Sequence, residues 1–342
     1  MPAQPTISYA QRFEDLRLLG CFAGETHGLY VDIGAGHPVY DNVSFVFYLR
    51  GWRGITVEPN PWLAQLSEAV RPRDARVAAL VGAEPGEATY YLVEDFHGLS
   101  TTVEHHARAA QSEYGKRSHA MAMPVTTLRA LCEQHAAGPI DVLKIDVEGA
   151  EREVLLGGDW QRFRPKIVVA EALAPVTLVP AWDAWEPLLI DNGYRFAASD
   201  GLNRYYVAEE HLALAERLAN PDTFAGVEQL RNFGPALDDT RHPDHRLARL
   251  FAGEDMVRLP LLAPDAMVSR LTAGLDPAAL QRKAQPADRD ALHDRLFGIS
   301  TSDRDESRLW AGRLSLRDLY ERAIASDAFR AACGRISASY AW

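Results

Sequence analysis

The first two-thirds of the chain alternates short apolar runs with segments of helical periodicity. Near-continuous apolar runs bounded by Gly or Pro are typical of strands buried on both faces. Runs of this kind occur at 29–33, 54–58, 76–81, 140–147 and 166–171. Helices are predicted between and after them, at 42–50, 62–70, 127–135, 150–156 and 182–192. This alternation predicts a doubly wound α/β sheet.

Two later runs predict that the sheet finishes with an antiparallel pair. The segments 194–198 and 204–208 flank a turn that contains Asp200-Gly201. Asp-Gly between two such runs is a hairpin signal. A second antiparallel insertion is predicted at 88–93, before Gly98.

The pattern changes after about residue 215, where strand signals become rare and Pro-containing breaks separate helical stretches. The clearest helix begins at Ser315, which forms a capping-box pattern with Asp318. Its apolar positions form one stripe: Leu316, Leu319, Tyr320, Ala323 and Ile324. We therefore expect a sheet-containing domain over 1–215 and a helical appendage over 216–342.

Composition and charge exclude several classes of protein. The 342 residues are 47% apolar and 24% charged, as in ordinary globular proteins. A net charge of −11 argues against general nucleic-acid binding. No stretch approaches the roughly 20 apolar residues of a membrane span, and residues 1–15 lack a signal-peptide pattern. Three widely spaced cysteines argue against a disulfide framework or a zinc site, so we expect a cytoplasmic protein.

The strongest chemical signal is the motif Val31-Asp32-Ile33-Gly34-Ala35-Gly36-His37-Pro38. A Gly-x-Gly turn lets the backbone approach a ligand beyond the carboxyl end of a strand, where open α/β sheets bind ligands. A dinucleotide site would have a third glycine where this chain has Val39. Asp32 would also repel a pyrophosphate, whereas it suits an ammonium group such as that of S-adenosylmethionine.

Glu58 ends the second predicted strand, Asn60 follows it in the same turn, and both are candidate cofactor-binding residues. A carboxylate at this position can accept hydrogen bonds from two ribose hydroxyls. Both nucleotide classes use such an acid, so Asp32 and the missing glycine decide for S-adenosylmethionine. His37 lies inside the same loop and is a candidate base or acceptor contact.

A group of carboxylates follows the fourth and fifth predicted strands. Asp146 and Glu148 are two residues apart, so in extended geometry they point to the same side, and Glu171 is expected at the same rim. One of them could accept a proton as general base. Asp146 and Glu171 could instead hold Mg²⁺, which lowers the pKa of a bound hydroxyl. Alternatively, Lys144 and the amides after Gly149 hold these acids for structural reasons.

The absence of one motif bears on the acceptor. Methyltransferases that act on the amino groups of bases usually carry a [DNS]-P-P-[YFW] loop, and this chain has none. Together with the net charge of −11, this favours a hydroxyl acceptor. The hairpin residues Asp200, Asn203 and Arg204 are candidate acceptor contacts.

Over residues 8–210 the chain resembles the FkbM family of S-adenosylmethionine-dependent methyltransferases. The motifs that carry the resemblance are SYAQRFED at 8–15, VDIGAGHP at 31–38, GWRGITVEP at 51–59, GLST at 98–101, DVLKIDVEGAE at 141–151, and Tyr194 with DGLNRYY at 200–206. The resemblance implies a class I methyltransferase fold, a seven-stranded sheet with one antiparallel strand. It implies that Asp146 lies beside the transferred methyl group. The cofactor residues that it implies are Asp32, Gly34, Gly36 and Glu58, with Gln11 and Asp15 closing over the cofactor.

The resemblance also implies methyl transfer from S-adenosylmethionine, usually to a sugar or polyketide hydroxyl. Together with the candidate residues, it predicts an S-adenosylmethionine-dependent O-methyltransferase that acts on a hydroxyl of a sugar or glycan, as in surface polysaccharide biosynthesis. One alternative is a nucleotide-linked oxidoreductase. Another is a non-catalytic scaffold that recruits partners through its C-terminal helices. For residues 216–342 the sequence leaves homo-oligomerisation, acceptor binding and partner docking open.

Overall fold

The computed structural model describes residues 6–94, 97–222, 224–297 and 314–340. The strands are β1 (Thr6–Ser8), β2 (Leu29–Ile33), β3 (Arg53–Val57), β4 (Ala75–Val77), β5 (Leu80–Val81), β6 (Gly86–Val93), β7 (Ser118–Thr126), β8 (Val142–Ile145), β9 (Ile167–Glu171), β10 (Tyr194–Ser199), β11 (Asn203–Ala208) and β12 (Val227–Gln229). The helices are α1 (Glu14–Cys21), α2 (Phe45–Leu49), α3 (Pro61–Val70), α4 (Glu104–Tyr114), α5 (Leu128–His135), α6 (Glu151–Leu156), α7 (Glu186–Asp191), α8 (Ala213–Ala219), α9 (His245–Leu250), α10 (Pro264–Leu271), α11 (Pro277–Gln281), α12 (Pro286–Phe297), α13 (Leu316–Ala325) and α14 (Asp327–Ala338). Short 3₁₀ turns lie at His97–Leu99, Trp182–Ala184, Glu209–His211, Leu230–Asn232 and Leu259–Leu261.

A seven-stranded mixed sheet forms the centre of the α/β part, in the order β10-β11-β9-β8-β2-β3-β4. The pairs among β9, β8, β2, β3 and β4 are parallel, and β11 runs antiparallel to both of its neighbours. The α/β sheet and its closing hairpin, both predicted from the sequence, are therefore confirmed. The central strands are buried on both faces, which explains their continuous apolar runs.

The third predicted strand, at 76–81, is wrong as a single element. Its first part forms β4 at the edge of the central sheet, whereas Leu80–Val81 forms β5 in a separate sheet of order β5-β7-β6. The apolar residues of this segment are thus divided between two sheets, since Leu80 packs with Tyr90 and Met123. β6 and β7 pair antiparallel along their length, which confirms the insertion predicted at 88–93.

The compact unit that holds the central sheet extends to Gln229. α8 packs against α1 and the β10–β11 hairpin, and β12 pairs in parallel with β1. Leu218 in α8 is fully buried, and Arg17 donates a hydrogen bond to its carbonyl oxygen at 2.6 Å. Residues 216–222 and 224–229, which the sequence pattern assigned to the appendage, therefore lie in the same compact unit as the sheet.

The second compact unit consists mainly of residues from Leu230 onward and has its own core. Its most buried side chains come from several helices and include Leu247, Leu271 and Ile336. The helix predicted from Ser315 is confirmed as α13, with a complete capping box. In the described part of the chain, no helix has the length and apolarity needed to span a membrane. Residues 223, 298–313 and 341–342 of the predicted appendage lie outside the described residues.

Candidate active site

The candidate residues lie where neighbouring parallel strands of the central sheet end. Ile33 pairs with Val57 and Ile145, and Ile145 pairs with Ala170. The next residue of each strand therefore lies at the same carboxyl end of the sheet. These residues are Gly34, Glu58, Asp146 and Glu171. The structure thus brings the strand-end candidates of the sequence analysis to a common edge, as expected for a ligand site of an open α/β sheet.

The two glycines of the turn after β2 have different surroundings. Gly34 has a φ of +73°, and a Cβ atom there would lie 1.8 Å from the carbonyl oxygen of Asp146. Gly36 has a φ of +61°, but a Cβ atom there would meet nothing within 4 Å. Gly34 therefore permits the close approach of two strand ends. Gly36 supplies a left-handed turn whose side-chain position is open.

Asp32 is buried at the end of β2, where the side chains of Ser44 and Lys144 contact its carboxylate. Ser44 Oγ donates to Asp32 Oδ2 at 2.5 Å, and Lys144 Nζ lies 3.4 Å from Asp32 Oδ1. Asp32 Oδ1 has no hydrogen-bond partner among the described residues. One carboxylate oxygen thus keeps its capacity to accept a further donor.

Lys144 connects the glycine turn with the carboxylates. Its Nζ donates to the carbonyl oxygen of Gly34 at 2.6 Å and lies 3.3 Å from Asp146 Oδ2, besides its contact with Asp32. Burial by itself would lower the pKa of Lys144, but the Asp146 and Asp32 carboxylates raise the pKa above its ordinary value. Lys144 therefore stays charged and holds the two aspartates in fixed positions.

Glu58 is oriented by two backbone amides. Its Oε2 accepts from the N–H of Gly36 and its Oε1 from the N–H of Asn60, both at 2.8 Å. Each oxygen retains a second lone pair for a ligand hydroxyl. Burial raises the pKa of Glu58 to about 7. Asn60 itself caps the start of α3, since its Oδ1 accepts from the N–H of Trp62 at 3.0 Å.

Three carboxylates meet beside this turn. Asp146, Glu148 and Glu171 each offer one oxygen, and these oxygens lie within 4.8 Å of one another. Burial, followed by the charge of Asp146, raises the pKa values of both Glu148 and Glu171 well above the ordinary value. Glu171 Oε2 is buried without a hydrogen-bond donor from the described residues. This cluster therefore has to share protons or a cation, because three such carboxylates cannot all be charged without one.

The reason for the proximity of Asp146 and Glu148 differs from the prediction. β8 ends at Ile145, so the two acids are not successive positions of an extended strand. Glu148 instead has a φ of +55°, in a turn that Glu151 stabilises by accepting the N–H groups of Val147 and Gly149, each at 3.2 Å. Glu151 was part of the recognised motif, but the sequence analysis assigned it no role.

His37 is buried, and its contacts favour a structural role. Its Nδ1 accepts the N–H groups of Val39 and Tyr40 at 3.2 and 3.0 Å. In the neutral ring the proton therefore lies on Nε2. His37 is not part of the carboxylate cluster found in the described residues. The geometry thus gives His37 a function in shaping the loop after Gly36.

The predicted cofactor contacts of the N-terminal segment differ from each other in their surroundings. Asp15 is fully buried, and its carboxylate accepts from Ser8 Oγ and the N–H of Tyr9, both at 2.7 Å, and from the N–H of Leu16 at 2.8 Å. Burial raises the pKa of Asp15 to about 6. Gln11 is exposed, and its Nε2 lies 3.4 Å from Asp41 Oδ2 in the segment after the glycine turn. Asp15 organises this segment, whereas Gln11 is accessible to a ligand.

The polar residues of the hairpin are used inside the protein. Asn203 Nδ2 donates to Glu14 Oε1 at 3.0 Å and to Asp200 Oδ2 at 3.2 Å. The Arg204 guanidinium lies 4.0 Å from the Phe196 ring centroid and donates to Glu186 at 2.6 Å. These contacts engage the polar side chains of the hairpin within the protein, and the hydrogen bond from Asn203 to Glu14 connects the hairpin with the N-terminal segment. Sequence reasoning missed Glu14, whose only signal was its place in the N-terminal motif.

The family model described as the methyltransferase FkbM domain matches residues 32–196. Residues 32–196 are thus similar to a methyltransferase domain of the FkbM family. This region contains the glycine turn, Glu58 and all three clustered carboxylates, and the match supports a class I methyltransferase-like α/β fold. No curated protein and no solved structure matches the chain. The support for a methyltransferase therefore comes from the match of residues 32–196.

Proposed function

We propose that the protein is an S-adenosylmethionine-dependent O-methyltransferase that acts on a hydroxyl of a sugar or glycan. The observation that carries the proposal is that Glu58 and the Asp146 cluster both follow the carboxyl ends of paired strands. Both lie within the region that matches the FkbM domain. The proposed transfer uses a carboxylate that binds the nucleoside part of the cofactor and a group that accepts the proton of the hydroxyl.

The residues around the glycine turn suit the cofactor. S-adenosylmethionine supplies an electrophilic methyl group on a sulfonium centre. Asp32 Oδ1 lies 3.4 Å from Lys144 Nζ but accepts no hydrogen bond among the described residues, and we assign it the ammonium group of the cofactor. Gly36 leaves its side-chain position open, and Glu58 is held by two amides in an orientation suited to ribose hydroxyls.

The carboxylate cluster suits the acceptor. A hydroxyl must lose its proton when it becomes methylated, and a positioned carboxylate can accept that proton. We assign this role to Asp146, which is partly exposed and held by Lys144 at 3.3 Å. Glu148 and Glu171 supply further acceptors for the neighbouring hydroxyls of a sugar, which would orient it.

As a second route to the same deprotonation, we propose that Asp146 and Glu171 bind Mg²⁺, with Glu148 beside them, in which case the cation rather than Asp146 activates the hydroxyl. Mg²⁺ lies about 2.0–2.1 Å from each ligand oxygen, so two of its ligands are at most about 4.2 Å apart. The oxygens of the cluster lie within 4.8 Å of one another, so binding would draw the most distant pair slightly closer together. Glu171 Oε2, which has no donor among the described residues, supports the same proposal. The cation would lower the pKa of an acceptor hydroxyl.

Charge and cysteine chemistry support the remaining parts of the proposal. The net charge of −11 favours a sugar acceptor over nucleic acid. The three cysteines are free and buried, which supports a reducing compartment such as the cytoplasm. For the helical region we propose self-association, which sedimentation analysis of the full chain would test.

The first test is calorimetric titration with S-adenosylhomocysteine, with and without Mg²⁺. We expect micromolar binding that Glu58→Ala abolishes and Glu87→Ala preserves, because Glu87 is exposed on β6. Absence of binding at millimolar ligand would overturn the cofactor proposal and favour the scaffold alternative. Radiolabelled methyl transfer to free, nucleotide-linked and lipid-linked sugars would then identify the acceptor.

A further inference from the structure

The Glu148 backbone adopts a conformation that side-chain-bearing residues rarely take. Its φ is +55°, and Gly149 follows with a φ of +99°. Such a conformation persists where the surroundings hold it. This backbone conformation also sets the direction of the Cα–Cβ bond of Glu148, and therefore the position of its carboxyl group. The groups that hold this turn therefore bear on the geometry of the carboxylate cluster.

Two side chains hold the carbonyl oxygen of Glu148. Thr101 Oγ1 donates to it at 2.8 Å, and His106 Nδ1 lies 3.3 Å away. A carbonyl oxygen only accepts, so Nδ1 carries the proton in this contact. The Thr101 hydroxyl also accepts the N–H of Val103 at 3.0 Å. Its single proton is therefore directed at Glu148.

Both residues belong to parts of the chain outside the central sheet. Thr101 exchanges two backbone hydrogen bonds with Tyr91 of β6, at 2.8 and 3.2 Å. His106 lies on α4, and a Cβ atom on Gly149 would come within 2.7 Å of its ring. Gly149 thus leaves room for the ring against the turn.

We propose that Thr101 and His106 are positioning residues that hold the Glu148 turn, and through it the Glu148 carboxyl beside Asp146 and Glu171. This assigns a function to the Gly98-Leu99-Ser100-Thr101 motif, which the proposed activity leaves unexplained. The inference rests on the proposed function, because it concerns the same carboxylate cluster.

The test uses paired variants of the full chain. Thr101→Val removes the hydroxyl but keeps the shape, whereas Thr101→Ser keeps the hydroxyl. His106→Leu removes the donor, and His106→Asn retains an amide N–H near the position of Nδ1. Three quantities are measured for each: hydrogen exchange of the peptide 145–156, Mn²⁺ affinity by electron paramagnetic resonance, and S-adenosylhomocysteine affinity.

We expect faster exchange confined to peptide 145–156 in Thr101→Val and His106→Leu. Mn²⁺ should bind about 10–100-fold more weakly, as when partners of ligating carboxylates are removed. S-adenosylhomocysteine affinity should stay within about threefold, because Asp32 and Glu58 are not involved. Thr101→Ser and His106→Asn should behave like the wild-type protein.

Unchanged exchange of peptide 145–156 in Thr101→Val would overturn the inference. Faster exchange across β2, β3 and β8 as well would also overturn it, since the role would then be general stabilisation. Failure of the wild-type protein to bind Mn²⁺ would overturn the proposed metal site, and the exchange data would still decide the positioning role. Failure to bind S-adenosylhomocysteine would overturn the cofactor proposal in the same independent way.

Discussion

At the scale of single residues, the glycine turn shows how one motif combines two physical requirements. Gly34 and Gly36 both have positive φ values, of +73° and +61°. Only at Gly34 would an added methyl group meet backbone, 1.8 Å from the Asp146 oxygen. The motif pattern predicts the need for both glycines, but the identity of the group that Gly34 touches follows only from the pairing of β2 with β8.

The two glycines should therefore respond differently to substitution. We expect Gly36→Ala to lower the free energy of unfolding by about 1–2 kcal/mol, from backbone strain alone. Gly34→Ala should cost several times more, because the strand ends have to separate. Urea unfolding monitored by tryptophan fluorescence measures both, and equal costs would contradict the close approach described here.

The proposed base gives a second prediction at this scale. Asp146→Asn keeps the shape of the side chain but cannot accept a proton, so we expect turnover to fall at least about 100-fold. S-adenosylhomocysteine affinity should change little. Glu153→Gln, an exposed change on the following helix, serves as the matched control. Turnover near the wild-type rate in Asp146→Asn would remove Asp146 from the mechanism.

At the scale of elements, local sequence signals predicted which helices and strands exist better than they predicted where each one begins and ends. The helix predicted at 182–192 consists of a 3₁₀ turn at Trp182–Ala184 followed by α7, which has a proline in its first turn. Proline is tolerated in the first turn of a helix because its missing N–H would have no intrahelical acceptor there. The strand predicted at 76–81 was wrong for another reason, because a continuous apolar run cannot show that it serves two sheets.

The capping box of α13 predicts a measurable contribution of one hydroxyl. Ser315 Oγ accepts the N–H of Asp318 at 3.1 Å. We expect Ser315→Ala to destabilise the helical unit by about 1 kcal/mol. Ser269→Ala, at an exposed position of α10, is the control. If the two variants unfold at the same urea concentration, the cap contributes nothing to stability.

At the scale of the whole molecule, buried acids make stability depend on pH. Burial raises the pKa of Glu14 to about 7 from an ordinary value of 4.5. The folded state then binds this proton more tightly than the unfolded state does. The stabilisation is complete below pH 4.5 and is lost as the pH rises through about 7. Glu58, with a pKa of about 7, and Asp15, with a pKa of about 6, act in the same direction.

We therefore expect the protein to be more stable at pH 5.5 than at pH 8. For Glu14 the contribution is on the order of 1–3 kcal/mol. Urea unfolding at the two pH values measures the difference. Glu14→Gln should reduce this difference, whereas the exposed Glu87→Gln should leave it unchanged. An identical pH dependence in Glu14→Gln and the wild-type protein would contradict the assignment.

The order of residues alone is enough to predict the α/β architecture, the closing hairpin and the strand-end positions of the candidate residues. These features follow from local patterns: apolar runs, turn residues and motifs that a single segment contains. The sequence also predicted that Asp146, Glu148 and Glu171 lie together, although for two of them the predicted reason was wrong. Candidate roles for these residues stay predictions until they are measured.

The tertiary structure alone decided which partners the polar side chains have. It pairs Lys144 with both Asp32 and Asp146, places Asp15 among the chain's own donors, and brings Thr101 to the Glu148 turn. These contacts join residues that are distant in sequence. Their formation depends on the register of strands and on the burial of both partners, and neither is visible within one segment. The pattern of a segment can therefore nominate a reactive group, but its charge state and orientation depend on the rest of the fold.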